Sequence, residues 1–268
     1  MIHFSEIENF SAKFGVPKET IEKDYCVTWL LIALSRLKES KDIIFYGGTA
    51  IKKIYFPDYR FSEDLDFIRP QDLKTEDILD LMERLYGFIK DKVNITFSTD
   101  KETVEKQKTR LQFFVVYDGF SELSLNKRVK IDFAADSGFF QKPVLKKLYC
   151  GYGDMRGLAP KLFVYTLEAI VTDKIGTILS TTRTEPRDLY DLWFLLKNCS
   201  LDFSAIKSNF KSKFGYDVDW TVIAPNLYNL MYKERWSRRL SRQITNPPDV
   251  DNVLKKTEQS LKKYLPRK

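Results

Sequence analysis

Behind Pro17, in a first-turn position, the stretch "PKETIEKDYCVTWLLIALSRLKE" (17–39) repeats apolar side chains at helical spacing and predicts one long helix. "DIIFY" then predicts a short buried strand ended by Gly47 and Gly48, "TAIKKIYF" a short helix, and "DLDFI" a second strand closed by Pro70. From Thr75 to about Lys90, a capping threonine, early acids and a helical apolar period predict another helix. Three runs of strand character follow: "VNITFST", "RLQFFVVY" and "RVKIDFAA". This order predicts an α+β or α/β unit, a mixed sheet with helices packed against it. Between Gln141 and Gly157 the pattern becomes irregular, with "GYGDMRG" as the linker candidate. Beyond it "APKLFVYTLEAIVTDKIGTILS" and "EPRDLYDLWFLLKN" predict helices, and the rest is mostly helical with a break at "TNPPD". Two domains are therefore expected, 1–157 with the sheet and 158–268 helical, without internal repeats or low-complexity segments.

Composition narrows the chemistry. A chain of 268 residues, 43% hydrophobic and 14% aromatic, has the length and apolar content for a sizeable core. No apolar run reaches membrane-spanning length, and "MIHFSEIENF" lacks the charged-then-apolar pattern of a signal peptide, so a cytoplasmic protein without a membrane partner is expected. Cys26, Cys150 and Cys199 are far apart and the single histidine is His3, which argues against a zinc site or a His-based triad. Carboxylates, lysines, hydroxyls and a hard metal ion remain. Residues 201–268 hold 14 Lys+Arg against 7 Asp+Glu, while 1–200 balance at 30 against 30, so the whole +7 excess lies in the last quarter. Such an excess attracts polyanions, nucleic acid first, or is simply a solvated basic helix surface.

Within that frame one stretch stands out, "FYGGTAIKKIYFPDYRFSEDLDFI" (45–68). Asp64 and Asp66 are two apart in a strand, so both project from one face. Adjacent carboxylates repel unless a cation lies between them, and hard oxygen ligands suit magnesium, with manganese as the alternative. Asp132 interrupts the apolar strand "VKIDFAA" and is the candidate third carboxylate. Gly47 and Gly48 let backbone amides approach a ligand closely, and the helix opening at Thr49 presents N–H groups and a positive dipole end, a phosphate site facing a metal site.

The ordered combination resembles the nucleotidyltransferases similar to DNA polymerase β. More closely, "GGTAIKKIYFPDYRFSEDLDF" resembles the AbiEii/AbiGii toxin family and, more distantly, the MenT-type toxins that add nucleotides to tRNA. "IEKDYCVTWLL" looks like that family's N-terminal helix, "RFSEDLDF" its metal motif, "KIDF" its later strand carboxylate, and "LEAIVTDKIGTILSTTRTEPRDLYDLWFL" its Lys, Arg and Asp motifs. The resemblance implies a polymerase β-like core plus a helical domain, magnesium and a nucleoside triphosphate (NTP), and membership of a toxin-antitoxin system. Arg60 and Ser62 match its R-x-S-x-D-x-D; Ser62 either binds a phosphate oxygen or shapes the turn.

The C-terminal motif has a reading of its own. Leu167, Ile170, Val171, Lys174 and Ile178 fall on one helical stripe, so Lys174 interrupts an apolar face. Its stem either covers apolar surface with the head in water, or it reaches nucleotide phosphates. Asp188 and Asp191 share a face of the next helix and need partners, with Arg183, Arg187 and Lys174 nearest. Three alternatives stand: an ion-pair network orienting Lys174, a catalytic role for one aspartate, or a helix cap by Asp188. Arg183 is included among nucleotide contacts. Lys108 and Arg110 are triphosphate or nucleic-acid contacts or a solvated strand end, and neither Lys52 nor Lys53 is singled out.

The expected activity is magnesium-dependent transfer of a nucleotide from NTP to RNA, a tRNA 3′ end by resemblance, with an antitoxin protein as a further partner. The alternatives are transfer to a protein hydroxyl and a non-catalytic nucleic-acid-binding or antitoxin-like module.

Overall fold

The computed structural model describes residues 1–120, 122–123, 127–136, 142–180 and 183–266. Helix α1 (Phe4–Phe14) ends at Gly15 in the left-handed region, and α2 (Lys18–Ser35) packs against it. From Thr20 to Leu34 α2 is buried on nearly every side, which explains the apolar run Tyr25–Leu34, broken only by Thr28, and makes the two buried acids before it, Glu22 and Asp24, exceptional. The helix stops at Ser35, earlier than expected. Burial ends at Leu34, and the polar residues that follow form a separate 3-10 turn at Lys38–Lys41.

Strand β1 (Ile44–Tyr46) leads directly into α3 (Gly47–Ala50) and a π-helical turn (Ile51–Tyr55), and β2 (Asp64–Arg69) follows. Helix α4 (Thr75–Val93) is closed at its start by Asp77, whose carboxylate accepts from the Lys74 N–H at 2.9 Å; Thr75 is the first helical residue and not the cap. Strands β4 (Arg110–Tyr117) and β5 (Arg128–Ala135) fall where the runs of strand character predict them, whereas β3 (Phe97–Lys106) begins four residues later than "VNITFST" and runs seven residues beyond it, because Val93 ends α4 and Asn94 caps it in the left-handed region.

Two short strands were not expected. Residues Val144–Lys147 form β6, an exposed edge strand too polar to announce itself. Residues Lys161–Val164 form β7, where a helix was predicted; the apolar run there merges with that of the following helix, but Val164 pairs in parallel with Phe45 and the helix begins only at Leu167. The stretch read as a linker is anchored as well: Gly153 N–H donates to Glu6 at 2.7 Å, the Tyr152 hydroxyl to Asp24 at 2.7 Å, and Met155 is fully buried. Gln141, where irregularity was expected to begin, lies outside the described residues.

Among the described residues the sheet has seven strands in the order β3-β4-β5-β2-β1-β7-β6. β2 is parallel to β5 and antiparallel to β1, so the sheet is mixed. Its odd-numbered positions, Leu65 and Phe67 on β2 and Ile131 and Phe133 on β5, meet Leu30 of α2 and Leu81 of α4 around a small apolar cavity. On the same face the rings of Phe45, Phe67 and Phe133 stand side by side at centroid distances of 5.6 and 5.1 Å. Each such pair contributes about 0.5–1.5 kcal/mol beyond its buried area, and a one-residue slip would turn the whole ladder outward, so these rings pin the strand register.

Residues 1–136 and 143–164 form one compact unit; residues 165–268 belong to a second. Its described elements are all helices: α5 (Leu167–Leu179), α6 (Pro186–Asn198), α7 (Phe203–Phe214), α8 (Trp220–Leu227), α9 (Met231–Leu240) and α10 (Val250–Tyr264). Within it α5 packs against α6, α7 and α8, and α6 against α9 and α10. The Phe214 ring lies so close to Gly176 that a Cβ there would overlap it. No described helix is long and apolar enough to cross a membrane.

Candidate active site

The alternation that buries Leu65 and Phe67 sends Asp64 and Asp66 to the opposite face of β2. In register, Asp66 stands opposite Tyr46 of β1 on one side and Asp132 of β5 on the other, while Asp64 stands opposite Lys130. All three expected carboxylates therefore share one face of neighbouring central strands.

Gly47 is fitted to this face. Its φ of 81° lies in the left-handed region that favours glycine, and a Cβ on it would run into the Asp66 carboxylate. The turn thus exists in this form only without a side chain, and the backbone abuts the acid. Gly48 and Thr49 are buried, and the Thr49 hydroxyl donates to the Asp64 carbonyl, tying the turn to the start of β2. Ser62 and Arg60, before the acids, are buried too; the Arg60 guanidinium donates to the Phe61 carbonyl at 3.0 Å and lies against the Tyr59 ring.

Two lysines after the glycines turn inward. Lys52 donates to the carbonyls of Pro57 and Tyr59 at 3.0 and 2.8 Å, and burial lowers its pKa from 10.5 to about 8. Lys53 pairs with Asp24 at 2.6 Å and with the Thr28 hydroxyl at 2.7 Å. These contacts hold the segment between the glycine turn and the acids from beneath. Sequence alone gave no sign that α2 carries the partners of Lys53.

Asp132 faces a guanidinium. Arg110 Nε lies 2.9 Å from both of its carboxylate oxygens, and Nη2 donates to Oδ2. Among the described residues no three Asp, Glu, His or Cys side chains converge as a metal-ligand set. Donor chemistry and strand register suit a hard divalent cation, and Asp64 with Asp66 offers such an ion oxygen from one face. The third carboxylate is turned to Arg110, which the sequence offered as a triphosphate or nucleic-acid contact or a solvated strand end and which does open β4. The signal was available only in the register, because Arg110 reaches Asp132 diagonally from a position opposite Ala134.

The second unit holds a cluster of its own. Lys174 Nζ lies 2.6 Å from Asp188 Oδ1 and 2.7 Å from Asp191 Oδ2, and Arg183 Nε lies 3.0 Å from Asp188 Oδ2. Both aspartates are essentially inaccessible, and Lys174 is one-tenth exposed, so the lysine head is not in open water. Burial pushes the Asp188 carboxyl up, but Lys174 and Arg183 outweigh it and hold the group below its ordinary value. The α6 cap position is Glu185 and the Asp188 side chain is spent on these cations, so it does not cap the helix. Asp173, beside Lys174 in sequence, pairs instead with Lys213 of α7.

Comparison with known proteins bears on both family and fold. A family model described as "Nucleotidyl transferase AbiEii toxin, Type IV TA system" matches residues 29–256. Among solved structures, MenT4, a nucleotidyltransferase toxin from Mycobacterium tuberculosis H37Rv, superposes with a TM-score of 0.72 at 16% identity, covering 99% of this chain and 90% of that one. At that identity the likeness speaks for the fold alone. No curated protein matches the sequence.

Proposed function

Because the chain belongs to the AbiEii family of nucleotidyltransferase toxins, whose model spans most of its length, we propose that it transfers a nucleotide from an NTP to an RNA hydroxyl, that of a tRNA 3′ end. The observation that carries this is the face shared by Asp64, Asp66 and Asp132, with Gly47 pressed against Asp66. A polymerase β-like scheme accounts for it. Asp64 and Asp66 would hold magnesium or manganese, which when bound neutralises triphosphate charge and favours attack at the α-phosphorus. The acceptor oxygen forms a bond to that phosphorus, the bond to the β-phosphate breaks, pyrophosphate leaves, and the hydroxyl proton passes to a carboxylate or to water.

The chain's own contribution is positioning. Gly47 keeps the backbone against Asp66, Thr49 ties the turn to β2, and Lys52 and Lys53 hold the intervening segment. Gly47, Gly48, Arg60 and Ser62 belong in this proposal to the nucleotide-binding segment. Lys174, with Asp188, Asp191 and Arg183, is proposed to serve the same reaction through the phosphates of the substrate. RNA is proposed to meet the basic last quarter, where Arg238 and Arg242 are exposed. A protein antitoxin is the proposed regulatory partner.

The test is incubation of the purified protein with each α-labelled NTP, magnesium and total tRNA. Label is expected in RNA, lost with a chelator and in Asp66→Ala. Label in a protein band would identify a protein hydroxyl as acceptor, and no transfer to either, with any NTP, would overturn the proposed activity.

A further inference from the structure

Arg110 stands at the first position of β4, on the sheet face that carries the three aspartates. The residue directly opposite Asp132 is Gln112, yet Gln112 turns to Glu105 of β3 and leaves Asp132 to the diagonal arginine. The grip is two-sided: Nε reaches both carboxylate oxygens at 2.9 Å and Nη2 donates to Oδ2 as well. A small divalent ion demands near-octahedral oxygen ligands and needs the lone pairs that this guanidinium occupies. The strand register places Asp132 beside Asp66, but the side chains of the set do not converge.

We propose that Arg110 is a positioning residue that withholds Asp132 from the divalent cation until the triphosphate competes for the guanidinium, so that nucleotide and fully liganded cation load together. This rests on the nucleotidyltransferase activity proposed above. A guanidinium stays charged at any relevant pH, so loss of a proton cannot release Asp132; a competing anion can. The Asp132 side chain is 5% exposed and that of Arg110 45%, so the arginine is the partner that incoming phosphate reaches first. A triphosphate oxygen pair matches the donor fork as a carboxylate does. Once the fork has moved, both Asp132 oxygens are open on the face that Asp64 and Asp66 already share. The exchange is one anion for another around a fixed positive charge, and no covalent step is involved.

The experiment measures Mn2+ binding to the full chain by electron paramagnetic resonance, with and without a non-hydrolysable α,β-methylene NTP, in wild type, Arg110→Gln and Arg110→Lys. In wild type, the nucleotide should tighten Mn2+ binding. Without nucleotide, Arg110→Gln should bind Mn2+ about tenfold more tightly than wild type, with little further gain from nucleotide. Arg110→Lys, which keeps the charge but loses the fork, should fall between, and it carries the comparison if the glutamine variant does not fold. Adding Asp132→Asn to Arg110→Gln should abolish the gain. Mn2+ binding that is present but equal or weaker in both arginine variants would overturn the role of Arg110 alone. Absence of Mn2+ binding in every form would overturn both this role and the proposed activity.

Discussion

Replacing Lys174 with methionine removes a charge from between two carboxylates while leaving most of the side-chain volume in place. Asp188 and Asp191 are 3% and 0% exposed, and each lies within 2.7 Å of the lysine nitrogen. Breaking a buried pair by deleting one partner costs about 3–5 kcal/mol, chiefly because the remaining charge is left in a poorly solvating interior. Asp188 keeps Arg183, whose side chain is nearly half in water, so the lower part of that range is expected for it. Of the four tryptophans, Trp193, Trp220 and Trp236 lie in the helical unit, so fluorescence during urea titration reports mainly on its unfolding. The midpoint should drop by on the order of 2 M, with little change in slope.

The pH dependence is a second handle on the same cluster. In wild type the Asp188 carboxyl is held below its ordinary 3.8, so its stabilisation is complete above about pH 4 and is lost as pH falls through the lower folded value. In the variant, burial dominates and protonation relieves it, so the stability gap between the two proteins should narrow as pH falls toward 3. Adding Asp188→Asn and Asp191→Asn to Lys174→Met should recover a large part of the loss. A loss below about 1 kcal/mol, or a gap that does not change with pH, would refute the assignment of Lys174 as the cation that makes these buried acids tolerable.

Three further outcomes are expected. Gly47→Ala meets both a left-handed φ and the Asp66 carboxylate, and should lower nucleotide transfer more than tenfold with a loss of about 1–3 kcal/mol; Gly87→Ala, in α4 with open space around it, should be neutral or stabilising, as thermal melts will show. Lys52 gives up its proton near pH 8 when folded and near 10.5 when unfolded, so denaturation at a series of pH values should show wild type gaining on Lys52→Met across that window.

The elements with a clean period were legible without coordinates: β2, β4 and β5 alternate, and α4 and α6 carry acids or proline at the start of an apolar stripe. Asp64 and Asp66 stood out for the same reason, since a carboxylate inside a strand breaks an otherwise apolar pattern. β7 was hidden because "KLFV" runs without a polar break into the apolar stripe of α5, and only the pairing of Val164 with Phe45 distinguishes strand from helix. The inward turn of Lys52 and Lys53 could not be read from a short helix alone, because their partners come from α2 and from carbonyls before the acids. Arg110 illustrates the same limit more sharply. Its contact with Asp132 spans 22 residues and depends on the register of β4 against β5, where the Phe113 ring lies against that of Phe133, so no local pattern encodes it.

The position of β2 in the strand order carries one more consequence. With β5, β4 and β3 to one side and β1, β7 and β6 to the other, its peptide groups are paired on both flanks, and their hydrogens exchange with solvent only when the middle of the sheet opens. The edge strands can fray and reclose many times while Asp64 and Asp66 keep their spacing. Local breathing at the rims therefore does not blur the two acids, and deuterium should enter the backbone beneath them last.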